Sequence, residues 1–440
     1  MIDVRTSVYA DSLAGLIKLE TISVSGNYDA EKFRIFHEKL FETFPKLFEL
    51  AEVEDYDGSL LIRWRGSDPT REPILLMSHH DVVEAPGVWK HEPFSGDISE
   101  GKLWGRGTVD TKTSLWAMLQ AAEELIEQGF VPSRDIYFES ACNEETDGAG
   151  ADAITKELYK RGISFFMTLD EGGAIMYDPI GGADGTFAMV GVGEKGCADI
   201  KFTARSAGGH ASTPGKNTPL VRLGKFMAAA DRSGIFEVRL SEVIQEMFIR
   251  MSETMKPPLK YIFAKPELFK PLLRTAVPMV SATAGAMLKT TLAFTMCSGS
   301  DGTNVMPQEA YVIGNMRFSH HQGRRSSIDA VRKLAAKYDI ETDVIDPGFE
   351  SPLTDFRGEA FRLVEKTVEK VFPDVRTAPY IMTGASDSRF FARVCKNCIR
   401  FTPLLIDEQQ LESIHGLNEN VDLTALAPAV DFYKNIIEEV

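Results

Sequence analysis

Cysteine is scarce in this chain: there are five among 440 residues, an odd number. That builds no disulfide framework and suits a reducing compartment. Positive charge is also short, with 48 Lys and Arg against 64 Asp and Glu and a formal net charge of −16. Phosphate-rich partners select basic surfaces, so this balance argues against a nucleic acid or an anionic membrane as partner. Long apolar runs are missing too. The one membrane-like stretch, Thr275 to Leu288, falls short of the roughly 20 residues that span a bilayer and is expected as a buried helix. The opening segment carries Asp3, Arg5 and Asp11 where an export signal needs an unbroken apolar core. A soluble, cytoplasmic protein is the expectation.

What is present is ordinary globular material, 44% hydrophobic and 25% charged, enough to bury a sizeable core. At about 150 residues per domain the length suggests two or three units. The first 200 residues alternate short apolar runs with helical periodicity: Ile74–Ser78, Ile136–Ala141 and Phe165–Leu169 read as strands, Thr111–Gln128 and Ala149–Lys160 as helices. Strands separated by helices imply a largely parallel sheet covered on both faces. After Gly193 the texture changes. Cys197–Arg205 and Ala310–Phe318 alternate like half-exposed strands, and Val221–Arg232, Leu240–Met255 and Ser326–Lys337 read as helices. The expectation is an α/β domain, 1–194 and 351–440, with a mostly parallel sheet, interrupted by an α+β unit at 195–350.

Ligand-type residues gather at the ends of the apolar strands, where open parallel sheets form sites. The first run ends in His79-His80-Asp81, and spacing by two puts His79 and Asp81 on one face. Asp110 precedes the 111–128 helix, the second run leads into Asn143-Glu144-Glu145 and the third into Asp170-Glu171, while His415 lies far downstream. Imidazoles and carboxylates together are the ligand set of borderline-hard divalent ions such as zinc. Two such ions bring four positive charges and three ligating carboxylates leave about one, enough to favour a bound hydroxide and polarise a carbonyl. Of the adjacent Glu144 and Glu145, one binds metal while the other serves as general base, and Asp81 orients a neighbouring imidazole.

The segments Ser78–Val83, Leu103–Lys112, Asn143–Glu145, Asp170–Gly172, Gly209–Ser212 and His415-Gly416, in this order along the chain, resemble the M20 family of metallopeptidases and amidohydrolases, which includes aminoacylase, carboxypeptidase S and succinyl-diaminopimelate desuccinylase. The Asp170–Gly173 segment and the long insert near 235–300 look most like the carboxypeptidase S branch. The resemblance implies two zinc ions, with cobalt or manganese as substitutes, held by His79, Asp110, Glu145, His415 and one acid of the Asp170-Glu171 pair. Asp110 would bridge them. Glu171 lines up with the aminoacylase glutamate, though Asp170 is equally able to coordinate. Glu144 would be the general base and Asp81 the orienting residue. The 195–350 unit would be a lid and dimerisation domain, giving a homodimer, in which His210 resembles an oxyanion-stabilising histidine and Asn304 a substrate-binding asparagine. Arg317 and Arg389 are candidates for gripping a substrate carboxylate, beside a Gly384-containing substrate loop. The activity implied is hydrolysis of an amide bond next to a free carboxylate, in a short peptide or, alternatively, in an N-acyl amino acid. A silent ligand-binding relative ranks below both.

Three other patterns carry less. Gly191–Gly196 fits a dinucleotide glycine motif, but a strand-like segment follows where a helix is required. Cys395 and Cys398 lack the second pair of a zinc knuckle. His320-His321 is expected to face solvent.

Overall fold

A computed structural model of the chain describes residues 3–26, 29–232 and 234–440. Two sheets carry the architecture. The centre of the nine-stranded sheet is formed by Ile74–Met77, Ile136–Ser140 and Met167–Asp170, buried along their whole lengths. The first pairs in parallel with both others, and Cys398–Arg400 extends the parallel run beyond Met167–Asp170. Strands apolar on both faces need cover on both sides. Ile74 and Leu76 face a core with Trp116 and Phe432, whereas Leu75 and Met77 face one with Ile154 and Leu158. The expected helices on both faces are therefore present, Lys112–Glu127 on one and Ala149–Lys160 on the other. Antiparallel pairing appears toward the margins, as in the hairpin Glu52–Tyr56 with Ser59–Trp64.

The second sheet is antiparallel, in the order Thr291–Ser298, Glu309–Phe318, Gly196–Arg205, Glu341–Phe349. Alternate residues of Glu309–Phe318 are buried against the helices Pro219–Arg232 and Gly323–Ala336, and Phe202, Phe226, Met316 and Val331 form a separate core there. Strand Thr186–Glu194 belongs to the large sheet and Gly196–Arg205 to the small one, so the chain crosses between them over Lys195 alone. No helix follows the glycine motif at 191–196. The buried Lys195 ammonium donates to the carbonyl oxygens of Ala286 and Lys289 and to Thr291 Oγ1 at 2.9–3.1 Å, and burial lowers its pKa to about 7.

Within the stretch 195–350, expected as a separate unit, runs a helical segment, Glu242–Ser252, Leu259–Phe263, Lys270–Val280 and Ala282–Met287, that belongs instead to the core of the large sheet. Its Val243, Met247, Phe248, Leu273 and Val277 pack into the large core. Thr275–Leu288 is not the single buried helix expected. It breaks at Ser281, whose side chain caps the second helix by accepting from Ala284 N at 3.2 Å; Met279 and Val280 are 81% and 83% exposed. Proline 278 inside the first helix removes one donor, and a Cβ on Gly285 would come within 2.7 Å of Pro278 Cα, so the two helices meet where a side chain is missing.

Of the His320-His321 pair, expected to face solvent, His320 departs from expectation. His320 packs beside Gly193, both of its ring nitrogens are buried without a partner, and burial lowers its pKa to about 4. His321 Nε2 lies 2.9 Å from the Glu237 carbonyl oxygen. Among the described residues no helix is long and apolar enough to cross a membrane. Phe202 anchors the second core, its ring 4.8 Å from Phe226 and 6.0 Å from Phe294. Phe202→Ala should therefore cost about 3–5 kcal/mol, read as a fall in the urea midpoint; a midpoint unchanged from the parent would contradict this core assignment.

Candidate metal centre

The buried strand Ile74–Met77 continues extended through Ser78 N to Glu139 O at 3.1 Å and His80 N to Ala141 O at 2.9 Å. This alternation turns His79 and His80 to opposite sides. His80 stacks on Phe36 with its ring centroid 5.0 Å away and Nδ1 2.8 Å from Ser140 Oγ, a core histidine whose pKa burial drives well below the usual range. His79 faces the strand ends. Its Nδ1 lies 3.0 Å from the Asp81 carbonyl oxygen and 3.4 Å from the Asp81 carboxylate; its Nε2 lies 3.1 Å from Asp110 Oδ1.

Asp110 does not cap the following helix, whose N-cap is Thr111. Its second oxygen, Oδ2, lies 3.1 Å from His415 Nε2, which is also 3.0 Å from Glu145 Oε2. One carboxylate thus spans two imidazoles. Ligand atoms of His79, Asp110 and Glu145 lie within 4.8 Å of one another, and Glu145 Oε1 is buried without a partner. Glu171 lines the same cleft, of about 620 Å³, with Asp110, Glu144, Glu145, His415 and Gly384. Asp170 is otherwise engaged, Oδ1 accepting from Glu171 N at 2.9 Å and Oδ2 from Ser388 N at 2.7 Å.

Proton affinities show what the cluster wants. Burial, with repulsion from Asp387 and Asp110 respectively among the charges around them, holds Glu144 and Glu171 well above the usual carboxylate range. Burial opposes charge on His79, yet hydrogen bonds to Asp110 and Asp81 hold its pKa well above normal. Hydrogen bonds to Asp110 and Glu145 raise His415 to about 10. Imidazole and carboxylate donors thus converge beside an orphaned buried oxygen. That donor set fits divalent cations.

Comparison with known proteins agrees. The sequence profile described as Peptidase family M20/M25/M40 matches residues 75–439. The chain belongs to peptidase family M20. It is 32% identical to the probable carboxypeptidase S-like 2 of Dictyostelium discoideum, over 98% of this chain and 84% of that one. It is 30% identical to the N-fatty-acyl-amino acid synthase/hydrolase PM20D1 of Homo sapiens, over 97% and 87%. In fold it is similar to the M20 family metallo-carboxypeptidase of Sulfolobus solfataricus, with a TM-score of 0.72, 18% identity and 98% of both chains covered. This M20 chain is a hydrolase of the peptidase and amidohydrolase type.

The other residues singled out from sequence lie at varying distance from the M20 cluster. Asp81 is fully buried; besides facing the His79 ring it accepts from Glu144 N at 3.1 Å, Glu145 N at 3.2 Å and Ser23 Oγ. Arg389 Nη1 lies 3.3 Å from Glu144 Oε1 and donates to Ser386 O at 2.7 Å. A Cβ on Gly148, at φ +66°, would strike Phe390, Arg389 and Asp387 within 2.5–2.8 Å, so this glycine lets the Glu144-Glu145 turn sit against the arginine. His210, Asn304 and Arg317 do not line the cleft. His210 is exposed on the two-residue ladder with Val305-Met306, its Nδ1 2.7 Å from Ser212 Oγ, and Asn304 O accepts from the adjoining Ala211 N at 2.9 Å. Arg317 stands on the small sheet, donating from Nε to Asn315 Oδ1 at 3.0 Å.

One residue of consequence escaped the sequence reading. Glu419 is fully buried, pairs with Arg106 at 2.7 Å and accepts from the backbone N–H groups of Gly107, Val109 and Asp110 at 2.7–3.0 Å. It holds the Asp110 loop in place. Its only sequence signal is an acid close behind His415-Gly416.

Glu419→Ala should strand the buried Arg106 charge and cost about 3–5 kcal/mol, with weaker divalent-cation retention; wild-type thermal stability would contradict that role. In the metal-free chain the raised pKa of His415 contributes stability that is complete below about pH 6.5 and is lost as pH rises through about 10. Cations displace that proton, so loading should release protons and flatten the loss, measurable by calorimetry in buffers of different ionisation enthalpy.

Proposed function

We propose that the chain is a two-metal amidohydrolase that cleaves an amide bond adjacent to a free carboxylate. The observation that carries this reading is Asp110, one oxygen on His79 and the other on His415. His79, Asp110, Glu145, His415 and Glu171 would hold two divalent cations, zinc being the metal the donors suit, with cobalt or manganese as substitutes. Asp170, its oxygens taken by backbone N–H groups, is the weaker candidate. When bound, the cations lower the pKa of water and polarise the scissile carbonyl.

Glu144 does the proton work. Its carboxylate is buried and kept basic, so it takes a proton from the attacking water and delivers it to the leaving amine. Asp81 fixes the Glu144 backbone and the His79 ring together. Arg389 is the candidate anchor for the substrate carboxylate, and would exchange its Glu144 contact for substrate; Arg317 on the small sheet is the more remote candidate. The unit at 195–350 would act as lid and dimerisation domain, bringing His210 to the oxyanion and Asn304 to the substrate by closure or from a second copy.

Substrates of two kinds meet these requirements, a short peptide and an N-acyl amino acid. Beyond the carboxylates the cleft wall is apolar, with Met176, Met189, Met287, Met382 and Leu411. This favours an apolar group on the carbonyl side, and relatives with carboxypeptidase S-like and N-fatty-acyl-amino acid hydrolase names are consistent with either substrate.

Glu144→Gln should lower kcat by roughly 10²–10⁴-fold while metal content, measured by atomic emission, stays at the parent level. Retained turnover would remove Glu144 as base. Amine release from a mixed pool of dipeptides and N-acyl amino acids, followed by mass spectrometry with zinc present, should single out substrates with apolar acyl-side groups. Release confined to polar dipeptides would reverse the substrate preference.

A further inference from the structure

Residues 256–280 invert the charge of the chain. In a protein of net charge −16 this segment holds Lys256, Lys260, Lys265, Lys270 and Arg274 against one acid, Glu267. Lys270 pairs with Glu267 at 3.2 Å. Lys256, Lys260, Lys265 and Arg274 are exposed and, among the described residues, enter no ion pair.

Apolar side chains are interleaved with these cations. Leu259 is 40% exposed, Tyr261 64%, Leu268 71%, Leu272 49%, Met279 81% and Val280 83%. The short helices are anchored from beneath, Phe263 lying 4.7 Å from Phe248 and Leu273 being buried in the large core. Between them opens an apolar cavity of about 170 Å³ whose wall includes Leu259, Leu272 and Val280, and Ser281 is common to this cavity and the metal cleft. The neighbouring acids are occupied. Asp178 accepts from Gly182 N and Ala183 N at 2.8 Å, Asp184 from the Tyr177 hydroxyl at 2.6 Å, and Glu253 pairs with Arg376 at 3.6 Å.

We propose that residues 256–280 dock this enzyme on the surface of an anionic phospholipid bilayer, with Lys256, Lys260, Lys265 and Arg274 at the phosphates and the exposed apolar side chains between them in the interface. Charge complementarity selects the occupant. Unpaired cations mixed with aliphatic and tyrosine side chains match a phosphate layer over hydrocarbon. A second copy docked through the same face would set four unpaired cations against four, and a nucleic acid would leave the apolar side chains without use. The cavity and cleft then open beside the lipid surface. Binding to lipid stands apart from the proposed hydrolysis and is read without it.

The test is co-sedimentation of the full chain with sucrose-loaded vesicles, of phosphatidylcholine alone or mixed with phosphatidylglycerol. The expected result is partition onto the anionic vesicles at least about tenfold stronger than onto neutral ones, weakened at about 0.5 M salt. K260E/R274E, and separately the milder K256S/K265S, should each weaken partition several-fold with unchanged thermal unfolding. Equal partition onto both vesicle types, no partition, or full partition by both folded variants would overturn the proposal. So would a dimer in sedimentation velocity that K260E/R274E abolishes while the parent ignores anionic vesicles.

Discussion

The site depends on one carboxylate shared between two imidazoles. Among the described residues Asp110 alone touches both His79 and His415, and its neighbours are further acids: Glu144, Glu145 and Glu171 on the cleft, Asp81 behind His79. Anions so crowded and so buried cannot all keep their charge unless positive charge joins them. In the protein alone, protons on the imidazoles supply part of it. Divalent cations would supply the remainder, and the orphaned oxygen of Glu145 is a donor atom that suits one.

Holding that cluster demands rigid supports, and they are buried charges of their own. The Glu419–Arg106 pair fixes the backbone N–H groups of the Asp110 loop. Asp81 fixes the Glu144-Glu145 turn. On the far side, Asp170 accepts from Ser388 N and Glu194 from Ser386 N at 2.9 Å, so the loop that carries Arg389 is tied at two points. Glu194, itself beside the buried Arg400 at 3.3 Å, is the last residue of the strand before the chain crosses to the small sheet. The crossing point and the arginine beside Glu144 therefore share one hydrogen-bonded frame, in which removing either member of a buried pair would leave the other's charge uncompensated.

How much of this was legible follows from range. Apolar runs at Ile74 and Ile136 announced buried parallel strands, because a strand covered on both faces must be apolar throughout. Alternation announced the half-buried strands of the small sheet. The candidate ligands His79, Glu145 and Glu171 showed because they follow the apolar strands closely, and Asp110 and His415 because they fall in family order. Glu419 did not show, since its partners lie over 300 residues away and a lone acid after a histidine carries no periodicity. The burial of His320 did not show either, because a polar pair beyond a strand is ordinarily exposed and nothing local tells that Gly193 packs beside it. The break at Ser281 was hidden by composition: the run is apolar, and only Pro278 and Gly285, read together, indicate two helices in close contact.

The same limit applies to net charge. A value of −16 speaks for the average surface, and on that average an anionic partner is repelled. Yet the carboxylates of the cleft lie against the imidazoles of His79 and His415, while Lys256, Lys260, Lys265 and Arg274 stand in solvent with no acidic partner among the described residues. Screening confines each of these fields to about 8 Å at physiological salt, so a partner approaching one face meets that face and not the sum. A strongly acidic protein can thus present a basic, apolar surface beside its active cleft, and composition alone has no means of revealing it.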